Sequence, residues 1–219
     1  MIVIEPRGAY RLWAPTYCQE TAISHLDEEM AAELSPSPRG KRLLDAGCGT
    51  GRRLTGNDAA LAAGVDLSSE MLSSGTERAV AVADVRALPF AEQSFDLVWC
   101  RLVLGHLPDP RPAYGELARV CRIGGKLFVS DFHAAAAARG HHRSFRDAAG
   151  NKWVVEHHVC DADLHRKMAS DSGLSMVAQQ DGVIGPSVKD FYDRAGRLAA
   201  YQTDCGLPVV AAFLFERTG

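Results

Sequence analysis

Nowhere in this 219-residue chain is there an unbroken apolar run of the about 20 residues that a bilayer-spanning helix needs. Nor does a charged start lead into an apolar signal core at the N-terminus. These absences predict a protein without membrane insertion and a cytoplasmic location. A basic excess is lacking too. Lys and Arg number 24 against 27 Asp and Glu, a net charge of −3, which is not the electrostatic footprint of a nucleic-acid binder. The six cysteines (Cys18, Cys48, Cys100, Cys121, Cys160 and Cys205) form no Cys-x-x-Cys pair and no zinc-like spacing. They read as reduced thiols, and no metal site is expected. Internal repeats are missing as well. Apolar residues are plentiful: a hydrophobic content of 47% suffices for a substantial core, so one domain over residues 1–219 is the economical expectation.

The most informative run is Leu43-Leu44-Asp45-Ala46-Gly47-Cys48-Gly49-Thr50-Gly51. Two leucines ending in an acidic residue read as a short buried strand that stops at Asp45. Glycines then alternate at 47, 49 and 51, where the backbone must turn tightly and let a ligand approach. Asp66 closes the next apolar run, Ala62-Ala63-Gly64-Val65, and is placed roughly 20 residues after the first glycine to accept from ribose hydroxyls. A third run, Ala79-Val80-Ala81-Val82-Ala83, ends in Asp84-Val85, a carboxylate and an amide suited to an adenine edge. Pyrophosphate sites use Gly-x-Gly-x-x-Gly with a helix N-terminus facing the phosphates. Here the spacing is Gly-x-Gly-x-Gly, followed by Arg52 and Arg53. Asp45, Asp66 and Asp84 at three successive strand ends favour a cationic, phosphate-free adenosine compound. S-adenosylmethionine is such a compound, and a nicotinamide dinucleotide is disfavoured.

On these motifs the chain resembles the class I S-adenosylmethionine-dependent methyltransferases, type 11, which include ubiquinone-biosynthesis-like enzymes. The resemblance is carried by residues 43–51, Val65-Asp66-Leu67-Ser68 with Met71-Leu72, and Ala83-Asp84-Val85 with Leu88-Pro89-Phe90. It continues through Ser94-Phe95-Asp96-Leu97-Val98, Leu107-Pro108-Asp109, Glu116-Leu117-Ala118-Arg119-Val120 and Gly124-Gly125-Lys126-Leu127. Together these span residues 41–131 in the family's order. The opening Ala9-Tyr10-Arg11-Leu12-Trp13-Ala14-Pro15-Thr16-Tyr17 is similar to the family's segment that folds over the cofactor, with Arg11 and Cys18 where an aspartate usually follows each tyrosine.

Residues 15–34 carry apolar and acidic positions at near-helical spacing, and Ser35-Pro36-Ser37-Pro38 breaks into a connector. Strands are expected at 42–46, 62–66, 80–83, 95–100 and 126–131, with helices at 68–74 and 111–122. Residues 51–66 are short for a crossover helix, so a stunted first helix broken at Gly56-Asn57-Asp58 is expected. Past Asp131 the pattern predicts an alanine helix at 134–138, a β-hairpin between 141 and 159, a helix from Asp161 to Gly173, a strand at 174–183, a helix at 186–201 and a strand at 208–216. The fold class is α/β. The resemblance implies a Rossmann-like, seven-stranded, mostly parallel sheet flanked by helices, the last strand antiparallel. Residues 1–40 would be lid helices, 41–131 the cofactor-binding core and 132–219 the substrate side.

The resemblance assigns Tyr17, Asp45, Gly47, Cys48, Gly49, Gly51, Asp66, Leu67, Met71, Asp84, Val85, Cys100 and Arg101 to the cofactor. Asp66 takes the ribose and Asp84 with Val85 the adenine edge. Methyl transfer from a sulfonium is an in-line displacement with a neutral leaving group, so alignment and water exclusion dominate. His106 follows the fourth strand, where the family faces the methyl group, and His157 lies in the histidine-rich hairpin. Both are candidate bases for an acceptor that must lose a proton. Phe191, Tyr192 and Trp153 are candidate apolar walls of a small-molecule acceptor pocket. A protein that binds S-adenosylmethionine without turnover is the alternative.

Overall fold

The computed structural model describes residues 2–17, 20–75 and 79–219. The chain begins with strand β1 (Ile2–Ile4) and helix α1 (Pro6–Trp13), then helix α2 (Ala22–Leu34). Strands β2 (Arg42–Ala46) and β3 (Leu61–Asp66), helix α3 (Ser69–Ser73) and strand β4 (Val80–Val82) follow. Next come β5 (Phe95–Arg101), α4 (Arg111–Val120), β6 (Cys121–Phe132) and α5 (Ala134–Ala138). A hairpin of β7 (Ser144–Arg146) and β8 (Lys152–Val155) leads to α6 (Ala162–Asp171) and β9 (Leu174–Val183). Helices α7 (Lys189–Arg194) and α8 (Leu198–Asp204) precede the last strand, β10 (Pro208–Arg217).

Seven strands form one sheet in the order β4-β3-β2-β5-β6-β10-β9. Strands β2 to β6 pair in parallel, whereas β10 runs antiparallel to both β6 and β9, as the resemblance implied. Alternation sends neighbouring leucines to opposite faces. Leu44 and Val98 pack with Tyr114 and Leu117 of α4 and with Phe213 and Phe215. Leu43 and Leu97 instead meet Met30 and Ala31 of α2 and Phe128. Burial on both faces gives β5 its near-continuous apolar sequence.

Local signals explain the element ends. Thr21 and Ser24 form a reciprocal capping box at α2, with Ser24 N–H donating to Thr21 Oγ1 at 3.1 Å and Thr21 N–H to Ser24 Oγ at 2.8 Å. Asp161 caps α6 by accepting from Leu164 N–H at 2.8 Å, and Gly173, at φ +77°, ends it. Between β2 and β3 only a 3-10 turn forms, Arg52–Leu54, the stunted segment the short spacing predicted. The helix expected over residues 186–201 is divided instead, into a 3-10 turn (Pro186–Val188), α7 and α8, with Gly196 at φ +65° between the two α-helices.

A second, three-stranded sheet in the order β1-β8-β7 was not foreseen. Strand β1 has three residues and pairs in parallel with β8, Ile2 opposite Trp153 and Ile4 opposite Val155. So short a strand has no readable period. Its role is positional: it seats α1, whose Ala9 packs against Phe145 and Val155, beside the carboxyl ends of the main sheet. Cys48, Cys100, Cys121, Cys160 and Cys205 are free thiols. Cys18 lies outside the described residues.

Helix α2 is fastened to the sheet by charge. Asp27, fully buried, accepts from Arg101 Nη2 at 2.8 Å, from Arg53 Nη2 at 3.2 Å and from Ser130 Oγ at 2.5 Å. Burial alone would raise the Asp27 carboxyl, but the Arg101 and Arg53 guanidiniums hold it below its ordinary value. Its contribution to stability is therefore complete above the ordinary carboxylate range, about pH 4, and is lost as pH falls toward the lower native value. Asp27→Asn removes the buried charge that Arg101 and Arg53 share, leaving Arg101 only Glu28, and should lower the unfolding free energy by about 3 kcal/mol in urea titrations at pH 7. That difference should shrink as the titration is repeated below pH 4.

Candidate functional site: a nucleoside cleft under an aromatic lid

A cleft opens at the carboxyl ends of the parallel strands, where ligands of doubly wound sheets bind. Its floor is the turn after β2. The N–H groups of Gly47 and Cys48 both donate to Val65 O, at 2.7 and 2.9 Å, strapping the turn to β3. Gly47 has φ +83°, and a Cβ there would stand 2.2 Å from Val103 Cγ2. Only glycine fits. Cys48 packs over Gly64 of β3, where an added Cβ would lie 2.8 Å from its Sγ. Burial pushes the Cys48 thiol far above its ordinary value, so it is a packing group and not a nucleophile.

Asp66 ends β3 on the cleft wall. Its Oδ2 accepts from Gly49 N–H at 2.8 Å and its Oδ1 from Ser68 N–H at 2.9 Å. Burial raises the carboxyl, and those two N–H groups with that of Leu67 pull the other way. Leu67, Met71, Asp84 and Val85 complete one side of the cleft; Arg101, Leu102 and Val103 form the other. Tyr10, Tyr17 and His106 close it from above.

Of the thirteen residues assigned to the cofactor, Tyr17, Gly47, Cys48, Gly49, Asp66, Leu67, Met71, Asp84, Val85 and Arg101 line this cleft. Asp45, Cys100 and Gly51 stand behind its wall. Asp45 is wholly buried; among the described residues its two oxygens have no hydrogen-bond partner, and the cation paired with it is Arg53, Nη1 at 3.9 Å. Asp84 is engaged by Arg86, whose Nη2 donates to Oδ2 at 2.6 Å and Nε to Oδ1 at 3.0 Å. This corrects the charge argument. The three carboxylates do not converge on one ligand, because one is under the turn, one is paired with an arginine, and only Asp66 faces the cleft with backbone donors alone. The case against a pyrophosphate rests on geometry instead: only a three-residue 3-10 turn follows the glycines, so no α-helix N-terminus is aimed at the ligand.

The histidine cluster resolves into a chain of contacts. Tyr10 Oη lies 2.8 Å from His106 Nε2. The His106 and His157 rings meet edge to face at 5.1 Å between centroids. His157 Nε2 stands 3.5 Å from Asp131 Oδ1, and His165 Nε2 stands 3.8 Å from Asp131 Oδ2. Burial lowers the His106 imidazole to about 3, aided by Arg143 and His157, so it is neutral at physiological pH. His106 lines the cofactor cleft, whereas His157 lines a second cavity behind it. The proposed apolar walls are elsewhere. Phe191 and Tyr192 pack with Phe132 and Leu26, and Trp153 packs with Phe145 and Val155 while its indole N–H donates to Asp147 Oδ2 at 2.8 Å. Asp27, Arg53 and Arg143 were missed, though Arg53 immediately after the glycine turn was a signal within reach.

Fold and cleft together define a Rossmann-like, nucleoside-binding domain. Residues 44–129 match the model of the methyltransferase domain. Over 127 residues the chain is 35% identical to 27-O-demethylrifamycin SV methyltransferase of Amycolatopsis mediterranei, covering 52% of this chain and 46% of that protein. Over 130 residues it is 35% identical to malonyl-[acyl-carrier protein] O-methyltransferase of Erwinia billingiae, covering 55% of this chain and 51% of that protein. The chain thus spans about half the length of the curated relatives it matches. Among solved structures, an S-adenosylmethionine-dependent methyltransferase of Mesorhizobium loti superposes with a TM-score of 0.65 at 22% identity, over 87% of this chain and 96% of that one. Residues 44–129 thus form a methyltransferase domain, and the matches support a class I S-adenosylmethionine-dependent methyltransferase of type 11, with S-adenosylmethionine as cofactor.

The cleft fits that cofactor: Gly47 and Gly49 leave backbone open where a side chain would intrude, and Asp66 presents an acceptor carboxylate. Asp66→Asn keeps the shape but removes the charge, so calorimetry should show S-adenosylhomocysteine affinity falling about 10- to 100-fold. Gly47→Ala should abolish binding, since both φ and Val103 exclude a methyl group.

Proposed function

We propose that this protein transfers a methyl group from S-adenosylmethionine to a small-molecule acceptor. The observation that supports this most is the enclosure of the glycine turn and Asp66 beneath a lid whose inner face carries Tyr10, Tyr17 and His106. Bound there, the cofactor supplies an electrophilic methyl group on a cationic sulfur. The protein's own contribution is alignment and dryness. Asp66 would hold the ribose, the glycine turn and the β5 end at Arg101 and Leu102 the amino-acid portion, and Met71 with Val85 the adenine.

Trp13 stacks on Phe145 at 4.8 Å and on Tyr10 at 5.7 Å, so the lid is a rigid aromatic tier that excludes water from the methyl group. His106 is the acceptor-side group. Neutral, it would exchange a proton with an acceptor hydroxyl or amine through Tyr10 Oη at its Nε2, because its Nδ1 is buried. Its low basicity suits an acceptor that is already acidic, or one whose proton leaves late in the transfer. His157 touches His106 from the second cavity and orients it.

Transfer of radiolabelled methyl from S-adenosylmethionine into low-molecular-weight components of an extract tests the activity. Cofactor binding with no label transferred would favour the non-catalytic alternative. His106→Gln should lower turnover about 10²-fold with cofactor affinity nearly unchanged. Since His106 protonates only near pH 3, the wild-type rate should show no inflection from it between pH 5 and 9.

A further inference from the structure

Among the described residues around the cleft, the buried guanidiniums are neutralised by carboxylates with one exception. Arg101 and Arg53 share Asp27, and Glu28 joins them, its Oε2 at 2.8 Å from Arg101 Nη2 and its Oε1 at 3.2 Å from Arg53 Nε. Arg143, on the loop entering β7, is 7% exposed, yet no carboxylate among the described residues pairs with it. Among the described residues its side chain makes one hydrogen bond, from Nη1 to Leu102 O at 3.2 Å, so four of its five N–H donors have no partner there. A buried cation left this way is costly unless a ligand completes it.

Arg143 borders a depression that shares Tyr17, Arg52, Arg53 and Leu102 with the cofactor cleft. Neither Met71 nor Val85 lines that depression. With adenosine held at Asp66, the amino-acid tail of the cofactor runs toward it. Arg52 and Arg53 are already paired with Glu28 and Asp27, which leaves one guanidinium free for a carboxylate.

We propose that Arg143 is a ligand-carboxylate anchor, and that the carboxylate it takes is the methionine α-carboxylate of S-adenosylmethionine. The assignment rests on the cofactor reading above. It makes the hairpin that follows β6 part of the cofactor site, although nothing in the glycine motifs points there. It also accounts for an unpaired charge in a wall where every other buried arginine has a partner.

The test compares S-adenosylmethionine with its decarboxylated analogue, which keeps the amine and sulfonium and lacks only the carboxylate. Calorimetry on the wild-type chain should give the intact cofactor about a 10- to 100-fold advantage. Arg143→Met should erase that advantage by weakening the intact cofactor while leaving the analogue within about threefold, the expected signature of a lost charge-assisted bond. Arg143→Lys, which keeps a point charge but not the fork, should retain part of it. Equal weakening of both ligands in Arg143→Met, or no weakening of either, overturns the proposal. So does benzoate binding that needs Arg143 in protein saturated with S-adenosylhomocysteine, because the guanidinium would then serve a carboxylate of the acceptor. Wild-type protein that binds neither ligand would reject the cofactor reading itself, a distinct result.

Discussion

Asp27 is the fixed point from which the rest of the site is built. It lies on α2, outside the segment that holds the glycine motifs, and it is buried against the end of β5. Taking a carboxylate and two guanidiniums out of water costs several kcal/mol per ion, so the group holds together only when nearly every donor is met. Here Arg101 gives Nε and Nη2, Arg53 gives Nη2 and Ser130 gives its hydroxyl. Each donor comes from a different part of the cleft: the β5 end, the glycine turn and β6. One carboxylate therefore ties together the elements that must be in register for a nucleoside to fit. Arg101 also lies over the Trp99 and Phe128 rings, at 5.7 and 5.9 Å, which keeps its charge away from solvent.

The same network holds in place the 3-10 turn that follows β2. Arg53 is drawn inward to Asp27 and Asp45, and Arg52 reaches Glu28 at 3.0 Å. Both arginines of the turn are thus committed to one direction. The sequence signal for this was only the short spacing from Gly51 to Asp66. Its electrostatic cause depends on Asp27, some 25 residues upstream, and could not be read locally.

What was legible had a local cause. Strand β2, the glycine turn, Asp66 and the β9 and β10 runs follow from apolar periodicity and from conformations open only to glycine. What was not legible had a distant partner. β1 makes sense only beside β8, Asp27 only beside Arg101, and Arg143 only beside Leu102. The expectation of three converging carboxylates failed for this reason: strand position was read correctly, but the counter-ions were not. Asp84 belongs with Arg86 two residues away, and Asp45 lies inside the arginine network. The cofactor class survives the correction because turn geometry and the family match carry it without the charge argument.

The acceptor side makes a different use of burial. Asp131 sits between His157 and His165; burial would raise its carboxyl, and the two imidazoles bring it below the ordinary value. His165 in turn meets Tyr114 Oη through Nδ1 at 2.8 Å. The ionised end of the chain is thus deep in the core, and the end facing the cleft, His106 with Tyr10, carries no charge. A cationic imidazolium beside a sulfonium would repel it, so a neutral His106 is compatible with a sulfonium in the cleft. Leu102 shows the same economy in the backbone: it adopts φ +59°, unusual for a branched residue, and its N–H still donates to Ser130 O at 2.8 Å while its carbonyl turns to Arg143. A strained residue between the ion network and the Arg143 guanidinium is held from both sides, which couples the cleft wall to the loop that enters β7.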